Sequence, residues 1–232
     1  MKLTPEQIDR LYHFTRQHYV EWYDLQTELV DHLANAIEAQ WQENPKISFE
    51  DALQIEFKKF GVFGFMNVVE KRQAALNKKY NGIIWKHFKA FFTVPKIILT
   101  VTLVGLTYLV LTNTTYKATI VLAAFGIIVF SFYSFIIYFT HKNKKATLGN
   151  AKKWLLKEII LGRSSICGIL YFPIHIILRS DKLMEHSIGI FGISFLLVSM
   201  ALIEYIMVIE IPKKAEAYLH ETYPEYALEN AN

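Results

Sequence analysis

The run from Ala118 to Thr140, ATIVLAAFGIIVFSFYSFIIYFT, carries no charged side chain. A hydrocarbon core of about 30 Å takes roughly 20 helical residues, so this run alone can cross one. It has company. Ile97–Thr112 is uncharged but shorter, and Phe91–Lys96 can lengthen it if Lys96 turns its ammonium back to water. Residues 159–178 hold one charge, Arg163, and residues 187–209 hold one, Glu204. Four such runs leave too little polar surface to cover them in water, and a helix that satisfies its own backbone is the form lipid accepts. With 53% of the 232 residues hydrophobic and 20% charged, disorder is excluded, and the single cysteine, Cys167, excludes an internal disulfide. The sequence therefore predicts an all-α chain. A small cytoplasmic helical domain over 1–90 precedes a bundle of four transmembrane helices over 91–210 (about 91–112, 118–140, 159–178 and 187–209), and 211–232 form a cytoplasmic tail.

Orientation comes from the lysines and arginines that flank the spans. Lys71, Arg72, Lys78, Lys79, Lys86 and Lys89 precede the first, and Lys142, Lys144, Lys145, Lys152, Lys153 and Lys157 fill the middle connection. The connections at 113–117 and 179–187 are poor in net charge. Both termini and the middle connection are thus expected in the cytoplasm. The opening residues, MKLTPEQIDR, are polar and lack the apolar run of a signal peptide.

The net charge of +4 conceals an internal polarity: residues 1–56 sum to −7 and residues 57–96 to +8. The basic block lies beside the membrane, where each Lys or Arg gains about 1 kcal/mol from anionic headgroups, so lipid is the expected partner and nucleic acid is not.

Within the first segment, Thr4-Pro5-Glu6-Gln7 reads as a capping box with proline at the first helical position. A second helix runs from about Tyr19 to Glu43. Ser48 caps a third, which stops at Phe60-Gly61, and a fourth starts after Gly64 and continues toward the membrane unless broken near Asn81-Gly82. On the second helix, Trp22, Leu25, Leu29, Leu33, Ala36, Ile37 and Trp41 share one face. Glu21, Asp24, Glu28, Asp31, Asn35 and Glu38 crowd the other, with His32 at its border. Like charges three or four residues apart repel by a few tenths of a kcal/mol per pair. A solvated face, a basic partner surface and a divalent cation all answer that crowding, and the sequence leaves the three open. On the fourth helix, Lys71, Arg72, Lys78, Lys79, Lys86 and Lys89 form a basic face opposite Phe65, Val69, Leu76, Tyr80 and Ile83. That pattern is expected to lie on the membrane surface, with docking on the acidic stripe as the alternative.

Inside the membrane, Arg163 and Glu204 approach the same cytoplasmic boundary and are expected to pair, the alternative being that each snorkels to the headgroups. Pro173 should kink the third span. Gly162, Gly168, Gly189 and Gly192 permit close helix approach. No phosphate-binding loop, dinucleotide fingerprint, zinc-ligand spacing or nucleophile elbow occurs, so no catalytic residue and no cofactor are assigned.

The run Asp24–Leu33 followed by Ser48-Phe49-Glu50-Asp51-Ala52-Leu53 and Phe60-Gly61 resembles the HAAS domain, a small helical cytoplasmic module fused to transmembrane helices. Val62-Phe63-Gly64-Phe65 departs from it, since the family often has a proline after the glycine. The resemblance covers about a third of the chain. It implies a multi-pass protein of the bacterial inner membrane with a sensor, regulatory or adaptor role and a cytoplasmic partner such as a PadR-like regulator. The alternative is a small transporter or membrane-assembly subunit, and a homo-oligomer is left open.

Overall fold

The computed structural model describes residues 2–147, 152–161, 183–224 and 226, with side chains not described over 142–147. Every regular element among them is helical. The chain packs as two compact units. Residues 1–78 with 146–158 form the first, and residues 79–145 with 159–232 form the second.

In the first unit, α1 (Pro5–Gln17) opens on the expected capping box: Gln7 N donates to Thr4 Oγ1 while the Gln7 side chain accepts from Thr4 N. α2 (Tyr23–Glu43) buries Leu25, Leu29, Leu33, Ile37 and Trp41 along one face, as the helical wheel predicts. α3 (Phe49–Lys58) is capped by Ser48 Oγ, which accepts from Asp51 N at 3.1 Å. Its stop is Gly61, whose φ of 77° lies in the left-handed region where a side chain would be strained. Gly64, at φ 52°, is held to glycine twice over, because a Cβ there would sit 3.0 Å from the Phe57 ring. Phe14, Phe57, Phe60 and Phe65 then close an aromatic cluster in edge-on contacts, with His18 tucked against Phe14 and Phe57. His18 Nδ1 lies 2.8 Å from Phe14 O, which makes this histidine a helix-end cap.

α4 (Met66–Ala90) runs without interruption through Asn81-Gly82. It buries Val69, Leu76, Tyr80 and Ile84, and Phe65 just ahead of it is buried too. α5 (Lys96–Thr112) starts only after a turn at 91–95, so the proposed lengthening through Phe91 is not helical. The buried Thr100 hydroxyl ties that turn down by donating to Phe91 O at 2.9 Å. At about 1.5 Å per residue, α5 measures roughly 25 Å, short of a full hydrocarbon core.

α6 (Lys117–Thr147) and α8 (Ser187–Tyr205) complete the apolar part of the second unit, and α7 (Leu155–Leu161) precedes the latter in sequence. Two stretches, Lys117–His141 and Ser187–Lys213, are long and apolar enough to cross a membrane. The expected third span, 159–178, falls almost wholly outside the described residues, as do Arg163, Cys167 and Pro173. Leu111, Val121, Phe125, Ile128, Ile190, Ile193 and Leu197 form the core where α5, α6 and α8 meet. The outward side chains of these helices are apolar as well: Ile127 is 69% exposed, Phe130 75% and Ile188 87%. Exposed apolar side chains that gather on one surface mark a place that meets a membrane, a partner or a ligand.

After α8 the helix widens into a π-helical turn at Ile206–Glu210, just ahead of Pro212. Proline lacks an N–H and its ring crowds the carbonyl four residues back, and a wider turn relieves both. A last helix, α9 (Ala215–Thr222), buries Leu219.

Candidate functional site

Two constellations gather the polar groups. The first is the acidic face of α2. Glu38 Oε1 accepts from Leu3 N at 3.0 Å, and Glu28 Oε2 lies 4.0 Å from Arg72 Nε. Glu21 accepts a 2.9 Å hydrogen bond from Lys153, and Asp24 Oδ1 accepts from Leu155 N at 3.2 Å. Asp31 and His32 stay exposed, the imidazole resting edge-on to Phe60 at 5.8 Å.

Part of this stripe is therefore met by the chain itself, and Glu21 and Asp24 are met by a segment whose apolar residues the sequence pattern does not single out. Residues 152–158, placed by their lysines in a basic connection, lie along the start of α2. Tyr23 N donates to Lys153 O at 2.7 Å, Lys152 Nζ stands 3.7 Å over the Tyr23 ring, and Trp154 meets Tyr23 edge-on at 5.5 Å. Trp22 Nε1 donates to Glu158 Oε2. Trp154, Leu155 and Leu156 are buried. The sequence signal was present: a Trp-Leu-Leu triplet inside a lysine-rich connection has no reason to be apolar unless it packs.

The basic face of α4 divides. Arg72 Nε comes no nearer than 4.0 Å to Glu28 Oε2, a long ion pair between two partly exposed side chains. Lys79 Nζ donates to Thr222 Oγ1 at 2.9 Å. Lys71, Lys78, Lys86 and Lys89 are exposed, with Lys89 lying 5.4 Å over Trp85. Trp85 stacks on Phe88 near the end of the helix, and Phe88 meets Phe92 edge-on just beyond it.

The second constellation surrounds Glu210, at the end of the π-helical turn. Its Oε1 lies 3.0 Å from His87 Nδ1, 3.3 Å from Lys214 Nζ and 4.0 Å from Lys96 Nζ. The far nitrogen of His87 is 2.7 Å from the Tyr218 hydroxyl. Burial, with the Glu210 and Glu221 charges beside it, pushes the Tyr218 phenol up, so it stays protonated. With a neutral imidazole the chain of donors is fixed: Tyr218 O–H donates to Nε2, and Nδ1–H donates to Glu210.

Deeper in the second unit, Glu204 accepts a hydrogen bond from Ser131 Oγ on α6. Its expected partner Arg163 lies outside the described residues. Of the four glycines, Gly162 and Gly168 also lie outside them. A Cβ at Gly189 would stand 1.9 Å from Leu183 O in the turn that precedes its own helix, which is a local fit and not an approach of two helices, and a Cβ at Gly192 meets nothing. No group of three His, Cys, Asp or Glu side chains among the described residues is gathered as metal ligands would be.

No protein-family model, curated protein or solved structure matches this chain.

Proposed function

We propose that this chain is a non-enzymatic regulatory or adaptor protein of the bacterial inner membrane, related to the HAAS-domain type. In this reading four transmembrane helices carry a cytoplasmic helical domain, both termini are cytoplasmic, and the exposed part of the acidic helix meets a cytoplasmic partner such as a PadR-like regulator. The observation that carries the reading is the seating of residues 152–158 on α2. These residues connect two apolar segments of the sequence, so a shift of either segment pulls on the helix that also bears Glu28, Asp31 and His32. Coupling of this kind needs no catalytic residue. It needs a two-state contact, and the aromatic and ionic contacts of Tyr23 with Lys152 and Trp154 are of a size that can be broken and remade.

The test is a photo-crosslinking residue at Asp31 in the full-length protein in cells. The expected result is a crosslink to one soluble protein, lost with Glu28→Lys and weakened by Trp154→Ala. Crosslinks to lipid or membrane proteins alone would overturn the reading. The second reading, a small transporter or assembly subunit, draws on Glu204 and its contact with Ser131 within apolar helices. Proteoliposome flux abolished by Glu204→Gln would favour it.

A further inference from the structure

A cavity of about 900 Å³ lies wholly within the second unit, walled by α5, α6 and α8. Its floor and sides are apolar: Leu99, Leu103, Ala124, Ile127, Leu197 and Leu202 among them. Polar groups collect at one end, where Lys96 begins α5, Glu210 ends the π-helical turn and Lys213 and Lys214 follow it. On α5 the wall extends from Lys96 to Thr107, which at 1.5 Å per residue is about 16 Å. That is close to half of a hydrocarbon core of roughly 30 Å, the depth of one leaflet. The three lysines outnumber the single carboxylate. Lys96 and Lys214 keep about half of their side-chain surface open, and Lys213 is exposed. The end of the groove is therefore electropositive and reachable, while its length is hydrocarbon-like.

We infer that this groove is a binding site for one anionic phospholipid. Its phosphodiester headgroup lies at Lys96, Lys213 and Lys214, and an acyl chain runs along Leu99, Leu103 and Ala124. Charge complementarity selects the headgroup, and the match of wall length to leaflet depth selects a lipid over a soluble anion. Glu210 holds Lys96 and Lys214 in place through its own contacts, leaving Lys213 as the cation with no acidic partner among the described residues. A bound lipid would bridge α5 to the chain beyond α8 at the boundary where the His87–Tyr218 chain lies. The inference rests on the apolar helices lying in a bilayer, and not on the identity of the acidic helix's partner.

Full-length protein in a non-ionic detergent is offered phosphatidylglycerol or phosphatidylcholine in mixed micelles, and retained lipid is counted by native mass spectrometry. Phosphatidylglycerol is expected to be favoured by about fivefold per contacting lysine. Lys213→Gln with Lys214→Gln should lower that preference to the roughly fivefold that Lys96 alone sustains, and adding Lys96→Gln should bring it to the phosphatidylcholine level. Leu103→Trp fills the groove and should remove both lipids, and Ala124→Trp serves the same end should the first variant not fold. Inorganic phosphate should leave phosphatidylglycerol bound. Equal retention of the two lipids overturns the site, as does a preference that the lysine variants leave undiminished. Displacement by phosphate would make it an anion site only. Self-association lost on filling the groove, with lipid retained, would assign the groove to a second copy of the chain. Each of these failures leaves the Asp31 crosslink unaffected, so the two proposals fall separately.

Discussion

Glu56 is a buried carboxylate that stays charged because its neighbours make the charge cheaper than the proton. It is 4% exposed, and burial alone would push its pKa up, but hydrogen bonds from Lys59 at 2.6 Å and from Gln40 outweigh burial and hold it below the usual carboxylate range. A carboxyl with a lowered folded pKa contributes stability that is complete above its unfolded value and is lost as pH falls through the folded one. The α2–α3 pair should therefore loosen below about pH 4.5. Hydrogen exchange of α2 and α3 amides in the full-length protein, corrected for intrinsic rates, should show that loss. Glu56→Gln should remove it and cost roughly 1–2 kcal/mol at pH 7 through the broken charged hydrogen bonds. Protection in the variant that still falls with acid would show that another group is responsible. Gly189 makes the complementary point about space. A methyl there would meet Leu183 O at 1.9 Å, backbone against backbone, so the 183–185 turn must move. Gly189→Ala should cost about 1–3 kcal/mol and lower the melting temperature in detergent, whereas Gly192→Ala, facing open space, should leave it unchanged.

At the scale of elements, the seat of residues 152–158 on α2 holds two kinds of contact that should differ sharply in weight. Lys153 and Glu21 are 41% and 60% exposed, so their ion pair is screened and worth a few tenths of a kcal/mol. Trp154 is 4% exposed and its truncation should cost about 3 kcal/mol. Lys153→Ala should accordingly leave the exchange protection of the start of α2 intact, and Trp154→Ala should release it. Equal effects would mean that charge and not packing holds the segment. The same contrast explains what the sequence revealed. The face of α2, the start of α1 and the stop of α3 were legible because amphipathic spacing and caps are local: Leu25, Leu29, Leu33 and Ile37 recur every four residues, and Gly61 is needed where it stands. Residues 154–156 are too short to show a period and sit among lysines, so their packing emerged only with the partner helix beside them. The groove was illegible for the opposite reason. α5, α6 and α8 are apolar all round, and a helix with no polar face gives no hint of which side meets its neighbour. Its electropositive end was dispersed as well, between Lys96 and Lys213 far apart in the chain.

For the whole molecule, the solvent that each part meets decides which of its surfaces are stable. The charge-free run at 118–140 is long and apolar enough to cross a bilayer, and the exposed Ile127 and Phe130 side chains belong to it. Trp85, with Lys89 over its ring, has the amphipathic character found where hydrocarbon meets headgroups. If both termini and the middle connection are cytoplasmic, the short turn between α5 and α6 must face the other side. In a background with Cys167→Ser, Thr114→Cys should react with a membrane-impermeant maleimide in intact cells. Lys46→Cys, exposed before α3, should react only after the membrane is opened. Thr114 follows a helix that measures roughly 25 Å, so its labelling also tests whether so short a helix reaches the far boundary. A Thr114 that stays silent until lysis, with Lys46 equally silent, would leave α5 on the cytoplasmic side. The chain would then cross the membrane with fewer helices, and the leaflet-deep groove would lose its lipid wall.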